Sequence, residues 1–138
     1  MSWDVSVHRF SRVYTSIADI PGDEQCLPLG SGAEVRALIS QVFPGTDWSD
    51  PSWGIYSFDG GSVEFNLGKA ETTDGSMLHF MLHVRASDEI VASIVALCQK
   101  NNWQAIDTST GGFLEQSSDP AAGLRAWSRY RGQILGKA

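Results

Sequence analysis

His79 and His83 stand four residues apart in Met77-Leu78-His79-Phe80-Met81-Leu82-His83-Val84-Arg85. On a helix, two imidazoles at that spacing share one face and can bind one metal ion. Here Leu78, Phe80, Leu82 and Val84 alternate with Met77, His79, Met81, His83 and Arg85, which is the period of a strand. Four strand residues span about 13 Å, and a metal–nitrogen bond is only ~2.1 Å, so one ion cannot bridge the pair. His8 could join one of them across a sheet, yet no cysteine or acid cluster completes a ligand set. No metal and no cofactor is therefore expected. The alternative use of His79, Met81 and His83, with Glu64 on another strand, is a pocket on the sheet face. Such a pocket suits a small molecule or a proton transfer.

Other constellations are less specific. Ser109 and Thr110 lie near Asp107 and Glu115 on the last hairpin, a conceivable pairing of nucleophile and base but not a specific one. Gly30-Ser31-Gly32 precedes a helix N-terminus, where free N–H groups attract anions. Without a Walker lysine or a full G-x-G-x-x-G, the plain reading is a flexible entry with a serine cap. Arg125, Arg129 and Arg131 could grip a phosphate or an acidic patch, or simply solvate a helix. Cys98 falls on an apolar helical face and Cys26 in an acidic loop, and neither belongs to a disulfide framework. These features lean away from an enzyme.

The strongest recognition candidate is Asp47-Trp48-Ser49-Asp50-Pro51-Ser52-Trp53, read as a loop. Exposed tryptophan is costly, so Trp48 and Trp53 must pack on the domain or on a partner. In the second case Asp47 and Asp50 would face a basic surface, with Asp23 and Glu24 as a second acidic loop beside them.

These residues need elements to hold them. Trp3, Val5 and Val7 mark a first strand, which residues 12–15 extend or flank. Ser31 and Glu34 form a capping box for a helix carrying Val35, Leu38, Ile39, Val42 and Phe43, and Pro44-Gly45 ends it. Residues 54–58 and 62–67 form a hairpin about Asp59-Gly60-Gly61. A polar loop with Lys69, Glu71 and Asp74 leads to the histidine strand, apolar enough on both faces to be central. Ser87 caps a helix with Val91, Ile94, Val95 and Cys98 buried, and Asn101 or Asn102 closes it. Residues 103–106 and 113–115 form a last strand pair. Asp119-Pro120 opens a final helix, with Leu124, Trp127, Tyr130 and Ile134 as its buried side. The order predicts one α+β domain over 1–138. Its sheet is mixed or antiparallel, with two helices on one face in a split β-α-β, ferredoxin-like plan, plus a C-terminal helix.

Charge narrows the partners. The formal net charge is −6. Residues 1–118 carry 15 acids and 6 bases, whereas 119–138 carry 1 acid and 4 bases, Lys137 included. Such a body repels nucleic acid. No apolar run reaches the ~18 residues of a membrane span, and the first residues carry no signal-peptide pattern. A cytoplasmic protein is expected.

The runs Phe113-Leu114-Glu115-Gln116, Asp119-Pro120-Ala121-Ala122-Gly123-Leu124-Arg125-Ala126-Trp127 and Met81-Leu82-His83-Val84-Arg85, with size, charge and element order, resemble small uncharacterised acidic bacterial proteins. Some similar proteins are immunity partners that bind and block a toxin. The resemblance carries no functional residue across and leaves the oligomeric state open. The acidic body, the tryptophan- and acid-bearing loops and the missing catalytic signature lead to the expectation of a non-enzymatic binding module for a basic protein, steered by Asp47, Asp50, Asp23 and Glu24 and anchored by Trp48 and Trp53.

Overall fold

The computed structural model describes residues 2–69 and 75–135, so Glu71 and Asp74 of the expected polar loop, and Lys137, lie outside the described residues. The chain opens with β1 (Trp3–His8) and reaches the short β2 (Gly30–Ser31) through a long irregular segment. Next is α1 (Gly32–Val42), closed at its start by the predicted capping box. Ser31 N–H donates to Glu34 Oε1 at 2.9 Å and Glu34 N–H to Ser31 Oγ at 3.2 Å. The strands β3 (Asp47–Asp50), β4 (Trp53–Phe58) and β5 (Gly61–Asn66) follow as a meander. Two-residue β6 (Ser76–Met77) precedes the long β7 (His79–Ala86). A 3-10 turn leads into α2 (Val91–Lys100), and β8 (Gln104–Asp107) and α3 (Ala122–Leu135) complete the chain.

Six strands form one antiparallel sheet in the order β3-β4-β5-β7-β1-β8, and β2 pairs with β6 separately. The first strand is thus interior: Val5 lies opposite Leu82 of β7 and Asp107 of β8. Because β7 and β8 both oppose β1, they run parallel to each other, and α2 connects them.

Period-two alternation gives the sheet two unlike faces. Val5, Val7, Val63, Phe65, Phe80, Leu82 and Val84 are buried. They share one core with Val35 and Ile39 of α1 and with Ile94, Leu97 and Cys98 of α2. Each such side chain contributes about 1.5–3 kcal/mol by leaving water. The intervening Asp4, Ser6, His8, Glu64, His79, Met81 and His83 stay half-exposed.

Four expected elements come out differently. Residues 46–54 are an edge hairpin, not a loop. Asp47 Oδ1 accepts from the Ser49 N–H and hydroxyl, and Asp50 Oδ1 accepts from those of Ser52. The polar residues that read as loop shape a turn and a shifted register between strands. Residues 12–15 form no strand, because the Gln104 carboxamide takes both Tyr14 backbone groups, at 2.9 and 2.8 Å. The expected strand at 113–115 is a single bridge from Phe113 to Ile106 followed by a 3-10 turn at Leu114–Gln116. There the Glu115 carboxylate accepts from the Ala105 N–H at 2.5 Å, and a side chain replaces the strand. Finally, α3 buries Leu124 and partly Trp127, but Tyr130 is 56% and Ile134 49% exposed. Along its second half the side expected to be buried is open to solvent.

Ser87 also departs from the expected cap. Its hydroxyl donates to Glu89 Oε1 at 2.9 Å rather than closing the helix N-terminus.

Candidate functional site

The edge hairpin sends its two tryptophans to opposite faces. Trp48 points inward. Its indole N–H donates to Ser40 Oγ of α1 at 3.0 Å, and its ring packs 6.2 Å from that of Phe65. Trp53 points outward. Its ring stacks on His83 at 5.5 Å with planes 17° apart, and its N–H donates to Glu64 Oε1 at 2.9 Å. Strand register makes this meeting possible, since Trp53 opposes Asn66 on β5 and Glu64 opposes His83 on β7.

Around that stack lies a chain of polar contacts across four strands. Asp4 on β1 opposes His83 and lies 2.8 Å from its Nδ1, so Nδ1 carries the hydrogen and the carboxylate accepts. Ser2 Oγ donates to the same Asp4 oxygen at 2.5 Å. Arg85 donates to the second oxygen of Glu64. Burial alone would raise the Asp4 carboxyl, but hydrogen bonds from Ser2 and His83 and the charges of His83 and Arg85 outweigh it and hold it below its usual range. Ile55, 40% exposed, and Met81 add apolar surface to the same face.

His79 and His83 do share this face of β7, and each has its own neighbours. His79 stacks on His8 at 5.5 Å, while His83 belongs to Asp4 and Trp53. Among the described residues, no group of three His, Cys, Asp or Glu side chains converges to hold a metal.

The acidic residues separate too. Asp47 and Asp50 sit at the β3 edge, and hydrogen bonds from the Ser49 and Ser52 side chains and backbones lower both carboxyls. Glu24 accepts from the Tyr14 and Ser11 hydroxyls at 2.6 and 2.7 Å, and Tyr14 is fastened to Gln104 of β8. Since β3 and β8 are opposite edges, about 24 Å of sheet separates them. Glu24 and the neighbouring Asp23 therefore do not flank the tryptophan hairpin as expected.

The other sequence candidates take structural places. The Ser109 hydroxyl donates to Asp107 at 2.6 Å and closes its own turn. Cys98 is fully buried, and desolvation pushes its thiol well above the ordinary 9.0. Cys26, half-buried, lies 3.9 Å from His8 Nδ1.

Sequence reasoning reached Trp53, Glu64, Met81 and His83, but assigned the tryptophan to one site and the rest to another. It missed Asp4 and Ile55. The signal for Asp4 was its place on the polar phase of a strand, needing only β1 beside β7 to face His83.

Comparisons with protein-family models, with curated proteins and with solved structures found no match.

Proposed function

We propose that this chain is a non-enzymatic binding protein for a basic protein partner, an inhibitor of immunity type acting in the cytoplasm. The partner docks on the half-exposed sheet face centred on Trp53. One observation carries the reading: a tryptophan is held on that face, braced by His83 and Glu64 and beside Ile55. Large aromatic side chains locked in place are the usual energetic anchors of interfaces. The acids nearby, Asp4, Glu64, Asp47 and Asp50, and the net charge of −6, supply the long-range attraction for a basic surface. Trp48, turned inward, plays no part in docking. We read strands β5, β7, β1 and β8 as a ferredoxin-like split β-α-β core extended by β3 and β4, a plan supported by their order and by α1 and α2 as its two connections.

The test is affinity capture from the native host with wild-type protein and with Trp53→Ala. Wild type should recover a basic protein at low salt, less at moderate salt, and Trp53→Ala should lose it while still unfolding cooperatively, at a somewhat lower temperature because its stack on His83 and bond to Glu64 are gone. Recovery of no partner, or equal recovery by the variant, refutes the proposal.

A second reading, a small-molecule or weakly catalytic site, has its own observation. A cavity of about 270 Å³ on this face is lined by Asn66, Leu67, Lys69, His79, Phe80 and Met81. A metabolite that raises the melting temperature of wild type but not of His79→Ala would favour it.

A further inference from the structure

We propose that two copies of the chain associate, each laying the exposed second half of α3 into a groove between the end of β4 and the start of α2 of the other. From Ser128 to Ile134 every residue of α3 is exposed. A helix in a protein draws most of its stability from packing an apolar face, and these two turns bury no side chain. They still carry such a face, since Tyr130 and Ile134 stand four residues apart and are 56% and 49% exposed. Arg129 and Arg131 flank that stripe, one on either side. Arg125, further back, is neutralised by Asp119 and Asp88. Neither Arg129 nor Arg131 pairs with a carboxylate among the described residues, and the Arg131 guanidinium carbon lies 5.8 Å from the centre of the Trp127 ring.

The groove offers the complement. It encloses about 580 Å³ and is lined by Tyr56, Phe58, Asp59, Glu89, Ile90 and Ser93. That volume lies within the ~300–1,000 Å³ of binding clefts. Tyr56 and Phe58 stack at 5.8 Å with planes 26° apart, and Phe43 braces Tyr56 edge-on at 5.2 Å, so the aromatic wall is held in place. Asp59 and Glu89 are exposed, and among the described residues no basic side chain lines the groove. Glu89 accepts the Ser87 hydroxyl and keeps its charge, and Asp59 has no ion pair among the described residues. Apolar side chains flanked by cations on the helix thus match aromatic rings flanked by carboxylates in the groove. An arginine over either ring adds a cation–π attraction.

The occupant is a second copy because both halves of the match lie on one chain, side by side. Asp59 lines the groove, and the next residue, Gly60, lines the depression beside Trp127, Ser128 and Arg131. Groove and helix therefore meet at the β4–β5 turn. A two-fold axis there lets each copy give its helix and receive the other's, which closes an isologous pair. Within one copy α3 is a single unbroken helix anchored by the buried Leu124, so it does not fold back into its own groove. Charge is divided along the chain in the same sense, with 15 acids and 6 bases over 1–118 against 1 acid and 4 bases over 119–138. The contact is small, so association in the micromolar range is expected and dilute chains are monomers. Trp53, on the other face of the sheet, takes no part.

Sedimentation velocity of the full chain from about 1 to 500 µM, at low and moderate salt, tests this. Mass should rise from monomer to dimer with concentration, less readily at moderate salt, and stop there. Glu89→Lys and Arg131→Glu should each weaken the dimer about tenfold or more, because each sets like charges together at both contacts. Mixed in equal amounts, the two variants should form a dimer close to wild type in affinity, since each then meets its complement twice. Ile134→Ser should weaken the dimer, and Trp53→Ala should leave it intact. Melts of the dilute variants check folding, and if Arg131→Glu unfolds early, Arg129→Glu mixed with Asp59→Lys repeats the test. A chain that stays monomeric throughout, or masses that grow past the dimer, overturn the proposal. So do a dimer lost in Trp53→Ala and a mixture of the charge variants no tighter than either alone.

Discussion

Gly54→Ala tests which way Trp48 faces, and hence which tryptophan a partner can reach. Gly54 sits on the inner side of β4, opposite Phe65. A Cβ added there would lie 2.5 Å from Trp48 Cζ3, 2.6 Å from Cη2 and 2.8 Å from Cε3. Carbon atoms rest about 3.5–4.0 Å apart, so the indole must retreat by about 1 Å. It cannot do so freely, because its N–H is bonded to Ser40 and its ring packs on Phe65. Over-packing costs about 1–3 kcal/mol and the weakened hydrogen bond about 0.5–1.5 kcal/mol, together about 2–4 kcal/mol. For a domain of this size the melting temperature should fall by roughly 6–16 °C. Thermal denaturation followed by circular dichroism reads this directly. Gly22→Ala, where no atom lies within 4 Å, is the control and should change stability by less than about 0.5 kcal/mol. Adding Trp48→Leu should return part of the loss, with a coupling of about 1 kcal/mol or more. A Gly54→Ala protein that melts within about 2 °C of wild type would refute the inward placement, and Trp48 would return as a candidate anchor.

Two further predictions concern the C-terminal third. Desolvation raises the Glu115 carboxyl above its ordinary 4.5, against the hydrogen bonds that favour its charge. Its folded pKa exceeds its unfolded one, so its contribution is fully present below pH 4.5 and is lost as pH rises through the higher folded value. Glu115→Gln keeps an oxygen for the Ala105 N–H without a buried charge. Its stability relative to wild type, from denaturant melts across pH, should therefore rise above pH 4.5, and a constant difference would contradict the assignment. On α3, Tyr130→Ala and Ile134→Ala should each cost under about 0.5 kcal/mol, whereas Leu124→Ala should cost about 2–5 kcal/mol. A large loss at Tyr130 or Ile134 would mean that the helix end is packed after all.

The legible parts of the chain are those where one local rule acts alone. The Ser31–Glu34 box and the apolar stripe behind it define α1 without reference to the rest of the molecule. The alternation in β7 separates His79 from His83 before any sheet is drawn. Illegible parts are those where a side chain does backbone work at long range. Gln104 binds Tyr14 across 90 residues, and Glu115 stands in for a neighbouring strand at Ala105. Pattern reading treats such residues as ordinary polar positions. The candidate site failed in the same way. Trp48 and Trp53 look equivalent in sequence, and only the register of the hairpin assigns one to the core and the other to the open face. Tyr130 and Ile134 continue a helical stripe perfectly well, and periodicity does not say where the core beneath it stops.

The interior position of β1 has a consequence in time. The strand β1 is made before the other five of its sheet and needs partners from far along the chain, Leu82 on one side of Val5 and Asp107 on the other. The β4–β5 hairpin can close as soon as it leaves the ribosome, since its contacts are local. Val5 and Val7 must wait, unpaired and apolar, until β7 has been synthesised, and their second partners come only with residues 105 and 107. Nascent chains should therefore acquire protease resistance late and abruptly, and the opening strand is where a chaperone has most to shield.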